Sequence, residues 1–150
     1  MKISPSVTIP VCIEQGCVYL YRLDTTNKDG TKYSGDRFFV VLNVNPKTDT
    51  ILILTTITKQ IQNQKKFIKN IGESPDTLVQ ITPSDFSPLS QDSIINCNNT
   101  HEESLSDLIT KVKNGGKVFS EKIPNNIINA LTSGVLKSKQ VPRDHKKLII

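Results

Sequence analysis

One arginine and a group of threonines carry the first chemical signal in this chain. Arg37 stands in Gly35-Asp36-Arg37-Phe38-Phe39-Val40-Val41-Leu42-Asn43, and Thr55, Thr56 and Thr58 stand in Thr50-Ile51-Leu52-Ile53-Leu54-Thr55-Thr56-Ile57-Thr58. Both stretches are rich in aromatic or β-branched residues, and Asn45-Pro46-Lys47-Thr48-Asp49 between them is turn-forming, so they predict two neighbouring strands. Arg37 then falls at the mouth of the first strand and the threonines at the end of the second. A hairpin of this kind brings a fixed positive charge near a hydroxyl. A guanidinium stays charged and forks onto two phosphate oxygens, and a hydroxyl adds one further hydrogen bond. The substrate that such a pair fits is a phosphate backbone.

Other residues could join them. His101 is the histidine placed for general acid–base work, whereas His145 reads as a solvated residue of a basic tail. Lys65, Lys66 and Lys69 form the densest internal basic cluster; it would track a polyanion or make an ordinary solvated face. Tyr33, in a polar loop, is the aromatic best placed to stack on a base, while Phe38 and Phe39 sit mid-strand and read as core. Cys12, Cys17 and Cys97 are odd in number and lack CxxC spacing. That argues against a disulfide framework or a zinc site, and for free thiols in a reducing cytosol. No carboxylate, histidine or cysteine cluster has metal-ligand spacing, so no metal and no other cofactor is expected.

The elements that must position these residues follow from pattern. The 150 residues fit one domain, with 1–15 as a lead-in and 142–150 as a basic tail. Pro5 and Pro10 make any regular element in the lead-in short or absent. Gly16 to Leu23 alternates as a strand, with Val18, Leu20 and Arg22 on one face and Cys17, Tyr19, Tyr21 and Leu23 on the other. Asp24 to Gly35 reads as a polar loop, and Lys59 to Asn70 as a basic polar segment. Thr77 to Ile81, Asp92 to Cys97 and Lys117 to Phe119 read as further strands, and Ser104 to Val112 as a helix or a strand. Ile127, Ile128, Leu131, Val135 and Leu136 recur at helical spacing, with Pro124 in the first turn and Ser120 as a cap. Five to seven short strands followed by one helix predict a mainly β fold, a small barrel with a C-terminal helix packed on it.

The formal net charge is +5 and the isoelectric point about 9.1, a balance suited to a polyanionic partner. No apolar run reaches the roughly 18 residues that a membrane span needs, and the first residues lack a secretory signal core, so a cytoplasmic location is expected.

In these residues the chain resembles the MazF/PemK-like toxins of bacterial toxin–antitoxin modules, from about Gly16 to about Val141. Gly16-Cys17-Val18-Tyr19-Leu20-Tyr21 matches the family's opening strand, with Cys17 at a usual Asp. Gly35-Asp36-Arg37-Phe38-Phe39-Val40-Val41 matches its Gly-x-Arg-Pro-x-x-Val-Val. Thr56-Ile57-Thr58 matches its Pro-x-Thr, and the run from Ser93 through Cys97, Asn98 and Asn99 to Thr100 matches its Ser-x-x-x-Cys/Ala-Asp-Gln-Ile corner. Phe38 and Thr56 replace prolines, and Asn98 replaces an aspartate. The resemblance implies an SH3-like barrel, a homodimer, a metal-independent endoribonuclease acting on single-stranded RNA, and a cognate antitoxin. It assigns catalysis to Arg37 and Thr58, and it places Asn98 and Asn99 where side-chain amides would read bases or orient the arginine.

Two readings follow. In the first, the 2′-OH of RNA attacks the adjacent phosphate while Arg37 stabilises the phosphorane. In the second, motivated by the three departures, the same barrel is not catalytic. It then binds RNA, or binds a protein as the CcdB-like gyrase poisons do.

Overall fold

The computed structural model describes residues 3–26, 30 and 32–150, without the side chain of Tyr33. Seven strands form one antiparallel, barrel-like sheet: β1 (Val18–Thr26), β2 (Lys32–Val41), β3 (Leu52–Thr58), β4 (Leu78–Ile81), β5 (Ser93–Asn96), β6 (His101–Glu103) and β7 (Lys117–Val118). Their order is β4-β5-β3-β2-β1-β7, with β6 also paired to β3. The end strands β4 and β7 do not pair among the described residues, so the sheet curls without closing. Among the described residues five α-helices accompany it: α1 (Pro5–Cys12), α2 (Ile61–Ile71), α3 (Leu105–Lys113), α4 (Asn125–Lys137) and α5 (Arg143–Leu148). None of the described helices is long and apolar enough to cross a membrane.

Alternation along the strands divides the core in two, because successive side chains leave a strand on opposite faces. Val18, Val40, Leu42, Ile53 and Ile57 meet Leu131 and Val135 of α4 on one face. Tyr19, Tyr21, Phe39, Val41, Leu52 and Leu54 meet Ile9 of α1 and Leu108 and Val112 of α3 on the other. The two faces of β1 are therefore those that its sequence predicts. Asn43 fixes the β2–β3 turn. Its amide donates to Asp49 Oδ2 and the Ile51 carbonyl, and its Oδ1 accepts the Ile53 N–H at 2.6 Å.

Several expectations change. β1 and β2 run on through the segment read as a polar loop, pairing out to Thr26 and Lys32. Arg37 thus lies within β2 rather than at its mouth. Exposed polar residues hid a ladder that its backbone hydrogen bonds sustain. The basic segment after β3 is α2: Ile61, Gln64, Ile68 and Ile71 recur at helical spacing, and Gly72 ends the helix with φ 74°. The lead-in does hold a short helix. Ser4 caps it, and Pro5 sits in the first turn, where a missing N–H costs nothing. Ser104 to Val112 resolves as α3, capped by the Ser104 hydroxyl on the Asp107 N–H. Pro124, not Ser120, takes the N-cap position of α4. The basic tail packs onto the fold: α5 docks through buried His145, with Ile149 just after it, and the Val44 N–H bonds the Leu148 carbonyl at 3.0 Å.

Candidate functional site

The face that carries the tyrosine core turns polar at one end of the sheet. Beyond Tyr21 on β1 come Leu23 and Thr25; before Phe39 on β2 comes Arg37; beyond Leu54 on β3 come Thr56 and Thr58. By the two-residue strand period these five share that face, and all five line one groove of about 540 Å³. Phe38 pairs with Ile57 across β2 and β3. The next residues outward are Arg37, within β2, and Thr58, the last residue of β3, so the two stand side by side. The Thr58 hydroxyl accepts the Gln60 N–H at 3.3 Å, which leaves its hydrogen to be donated. Arg37, Thr58 and Gln60 also border an adjoining hollow of about 390 Å³, so the groove is longer than a single small molecule requires.

One wall comes from an interruption in the sheet. β5 pairs with Ile57 and Thr58 of β3, and β6 pairs with Leu52, Ile53 and Leu54. Opposite Thr55 and Thr56 the chain turns outward as Cys97-Asn98-Asn99-Thr100. The buried Thr55 hydroxyl replaces the missing ladder, reaching the carbonyls of Asn99 at 3.1 Å and Asn96 at 3.4 Å. Thr55 therefore holds the corner and does not line the groove. Asn98 is 5% exposed. Its amide donates to Thr77 Oγ1 and Asn96 Oδ1, both at 2.9 Å, and its oxygen accepts the Ser138 hydroxyl at 2.5 Å. Asn96 continues the chain of bonds to Gln64 Oε1 at 2.9 Å. Every polar atom of the Asn98 side chain is thus committed, which makes it a brace of the wall; Asn99 beside it is exposed.

The opposite rim is built from the C-terminus. Gln140, Pro142 and His145 line the groove together with Thr100 and His101. His145 is 7% exposed, which corrects its reading as a solvated tail residue. Its Nδ1 lies 2.7 Å from Thr100 Oγ1, and its Nε2 lies 2.6 Å from Glu102 Oε1. His101 packs edge-on against Phe39 at 6.1 Å. Burial lowers its pKa; Glu103 opposes that shift, and His145 and Lys111 add to it. His101 is therefore held neutral, which suits a proton acceptor or a packing group better than a proton donor.

The groove gathers Arg37, Thr56, Thr58, Asn98, Asn99 and His101 from three separate parts of the sequence. Lys65 and Lys66 stand elsewhere. Lys65 lines a different hollow with Lys69 and Glu73, and Lys66 is exposed on α2. The residues that α2 does give to the groove are Gln60 and Gln64, one turn apart at its start. Tyr33 pairs with Thr25 in the hairpin, and its side chain lies outside the described residues. Thr100 and His145 have no counterpart among the sequence candidates. The signal for His145 was the spacing Val141, His145, Ile149, one buried stripe in steps of four that the surrounding charges obscure.

Two departures from the family pattern have structural causes. Phe38 lies on the far face of β2, edge-on to Phe86 at 6.0 Å and tilted on Phe119 at 5.6 Å. The amide of Asn98 supplies donors that an aspartate lacks. Neither removes a group from the groove floor.

No protein-family model matches the sequence, and no curated protein is matched by it. Among solved structures the chain is similar to an endoribonuclease in complex with its cognate antitoxin from mycobacterial species. The TM-score is 0.51 at 13% identity, over 87% of this chain and 98% of that one. At that identity the likeness is one of fold alone.

Proposed function

We propose that this chain is a toxin-like endoribonuclease that cuts single-stranded RNA without a metal ion, by attack of a 2′-OH on the adjacent phosphate. The observation that carries this reading is the placement of Arg37 of β2 beside Thr58, the last residue of β3, on the floor of one long polar groove. The shared fold with an endoribonuclease supports it, as does the basic balance of the chain.

The chemistry asks little of the protein. The nucleophile belongs to the substrate, so no metal hydroxide and no protein nucleophile is needed. Bond formation from the 2′-oxygen to phosphorus, with loss of the 5′-oxygen, leaves a cyclic phosphate and a free 5′-OH. Negative charge builds on the non-bridging oxygens during the transfer. Arg37 supplies two parallel N–H donors to them, and the Thr58 hydroxyl supplies one more. The open length of the groove admits an unpaired strand, and exposed Asn99 and Gln60 offer amides to base edges. A cognate antitoxin that covers the groove, and a homodimeric assembly, belong to the same proposal.

The test is a gel assay of wild type and Arg37→Ala on a long single-stranded RNA in EDTA. Discrete fragments from the wild type alone are the expected result. Intact RNA in both lanes would replace this reading with that of a barrel that binds RNA or protein without cutting.

A further inference from the structure

The groove of an RNA-cleaving protein needs a group to take the 2′-OH proton, and neither Arg37 nor Thr58 is a base at neutral pH. We infer that Thr100, His145 and Glu102 form a proton relay in which the Thr100 oxygen receives that proton and His145 carries it. This rests on the endoribonuclease reading above.

The geometry fixes the direction. A carboxylate can only accept, so Glu102 Oε1, 2.6 Å from His145 Nε2, holds the ring proton on Nε2. In the neutral ring Nδ1 then carries the lone pair, and Thr100 Oγ1, 2.7 Å away, donates its hydrogen to it. The remaining lone pairs of Oγ1 are turned away from the ring, and Thr100 lines the groove. A hydroxyl that donates to a histidine braced by a carboxylate is a stronger proton acceptor than an isolated hydroxyl.

The step balances. The 2′-O–H bond breaks and its proton bonds to Thr100 Oγ1, while the hydrogen that Oγ1 carried passes to His145 Nδ1. The 2′-oxygen bonds to phosphorus, and the P–O5′ bond breaks. The departing 5′-oxygen takes a proton from water. The imidazolium that results is paired with Glu102, and it returns its proton to solvent through Thr100 after product leaves.

The surroundings favour this use. Groups facing His145 include Glu102 and His101 on β6, and Arg37 lines the same groove. On its own helix are Arg143, Asp144, Lys146 and Lys147. Lys146 is turned away, its Nζ bound to the carbonyls of Leu136 and Ser138 at 3.1 and 2.6 Å. Glu73 is turned to the Lys139 N–H and the Gln140 amide, both at 3.0 Å. Glu102 is the one carboxylate bonded to the ring among the described residues.

The test measures kcat and KM on single-stranded RNA in EDTA, between about pH 5 and 8, where histidine changes charge. The variants are Thr100→Val, Thr100→Ser, His145→Gln and Glu102→Gln. Wild-type kcat should fall on the acid side as Nδ1 is protonated. Thr100→Val should lose about 100-fold or more in kcat with KM little changed, and its acid limb should flatten. Thr100→Ser should recover most of that rate. Glu102→Gln, altered at an exposed carboxylate, keeps the test open if His145→Gln misfolds, and it should lower kcat without unfolding the chain. Thr100→Val with wild-type kcat and an intact acid limb, alongside inactive Arg37→Ala, would overturn the relay and leave the endoribonuclease standing. Failure of Thr100→Ser to exceed Thr100→Val would also overturn it. RNA left intact by the wild type would overturn both.

Discussion

Arg37 and Thr58 face the groove because of a strand period that the sequence displays, and their replacement separates function from folding. Arg37→Ala should reduce cleavage about 100-fold or more, the range seen when one preorganised donor to a developing oxyanion is removed. Its thermal midpoint should stay within a few degrees of wild type, since the residue lies outside both cores. Asn98 behaves in the opposite way. Asn98→Asp would set a carboxylate oxygen against Asn96 Oδ1, where the amide now donates at 2.9 Å. We expect a loss of about 1–3 kcal/mol at neutral pH, read from urea unfolding. Burial raises the pKa of such an acid above its unfolded value near 3.9, so that loss should shrink as pH falls toward it and grow as pH rises. His101 has the reverse sign, because burial lowers its pKa. The folded chain binds this proton less readily than the unfolded chain. Its contribution is intact above the unfolded value near 6.5 and is lost as pH falls through the lower folded value. His101→Gln should therefore flatten the drop in urea midpoint between about pH 7 and 5; an unchanged slope would assign the drop to other groups. Arg37 and Thr58 could be found from sequence because β-branched neighbours announce their strands. The relay could not, since His145 gains its role only from contact with residues more than 40 positions away.

Strands were easier to foresee than helices. Every predicted strand is present, because apolar alternation survives in short segments. α2 and α5 were missed because Lys, Asn and Gln dominate the exposed face of α2, and Arg, Asp and Lys that of α5, so the few apolar residues carry the period alone. The polar arms of β1 and β2 were missed because nothing packs on them to demand apolar residues. Close packing between elements offers a direct test. A Cβ at Gly134 on α4 would lie 2.7 Å from Cys97 Sγ and 2.9 Å from the Asp76 carbonyl. Gly134→Ala gains helix propensity but forces α4 off β5 and the turn before β4. The net should be a loss of about 1–3 kcal/mol, and a rise in thermal midpoint would show that α4 can slide. Burial there also pushes the Cys97 thiol up to about 12, so thiol reagents should label exposed Cys12 first.

Across the whole molecule, a net charge of +5 would make the proposed RNA affinity a matter of ionic strength. Binding of an uncleavable 2′-deoxy strand should weaken steeply and log-linearly with salt, and the slope should lessen when Arg37 is removed. A flat salt response would show that the chain does not grip a phosphate backbone. The groove itself is assembled from widely separated parts of the sequence. Its floor comes from the first 58 residues, one wall from the turn near residue 98, and its last rim from Pro142 and His145. That order has a consequence for synthesis. As the polypeptide emerges, its arginine and threonine are present long before the segment that supplies the final rim. A nascent chain stopped anywhere short of His145 carries an unfinished groove, so on the endoribonuclease reading proposed above the messenger being translated is shielded from its own product until His145 has been added.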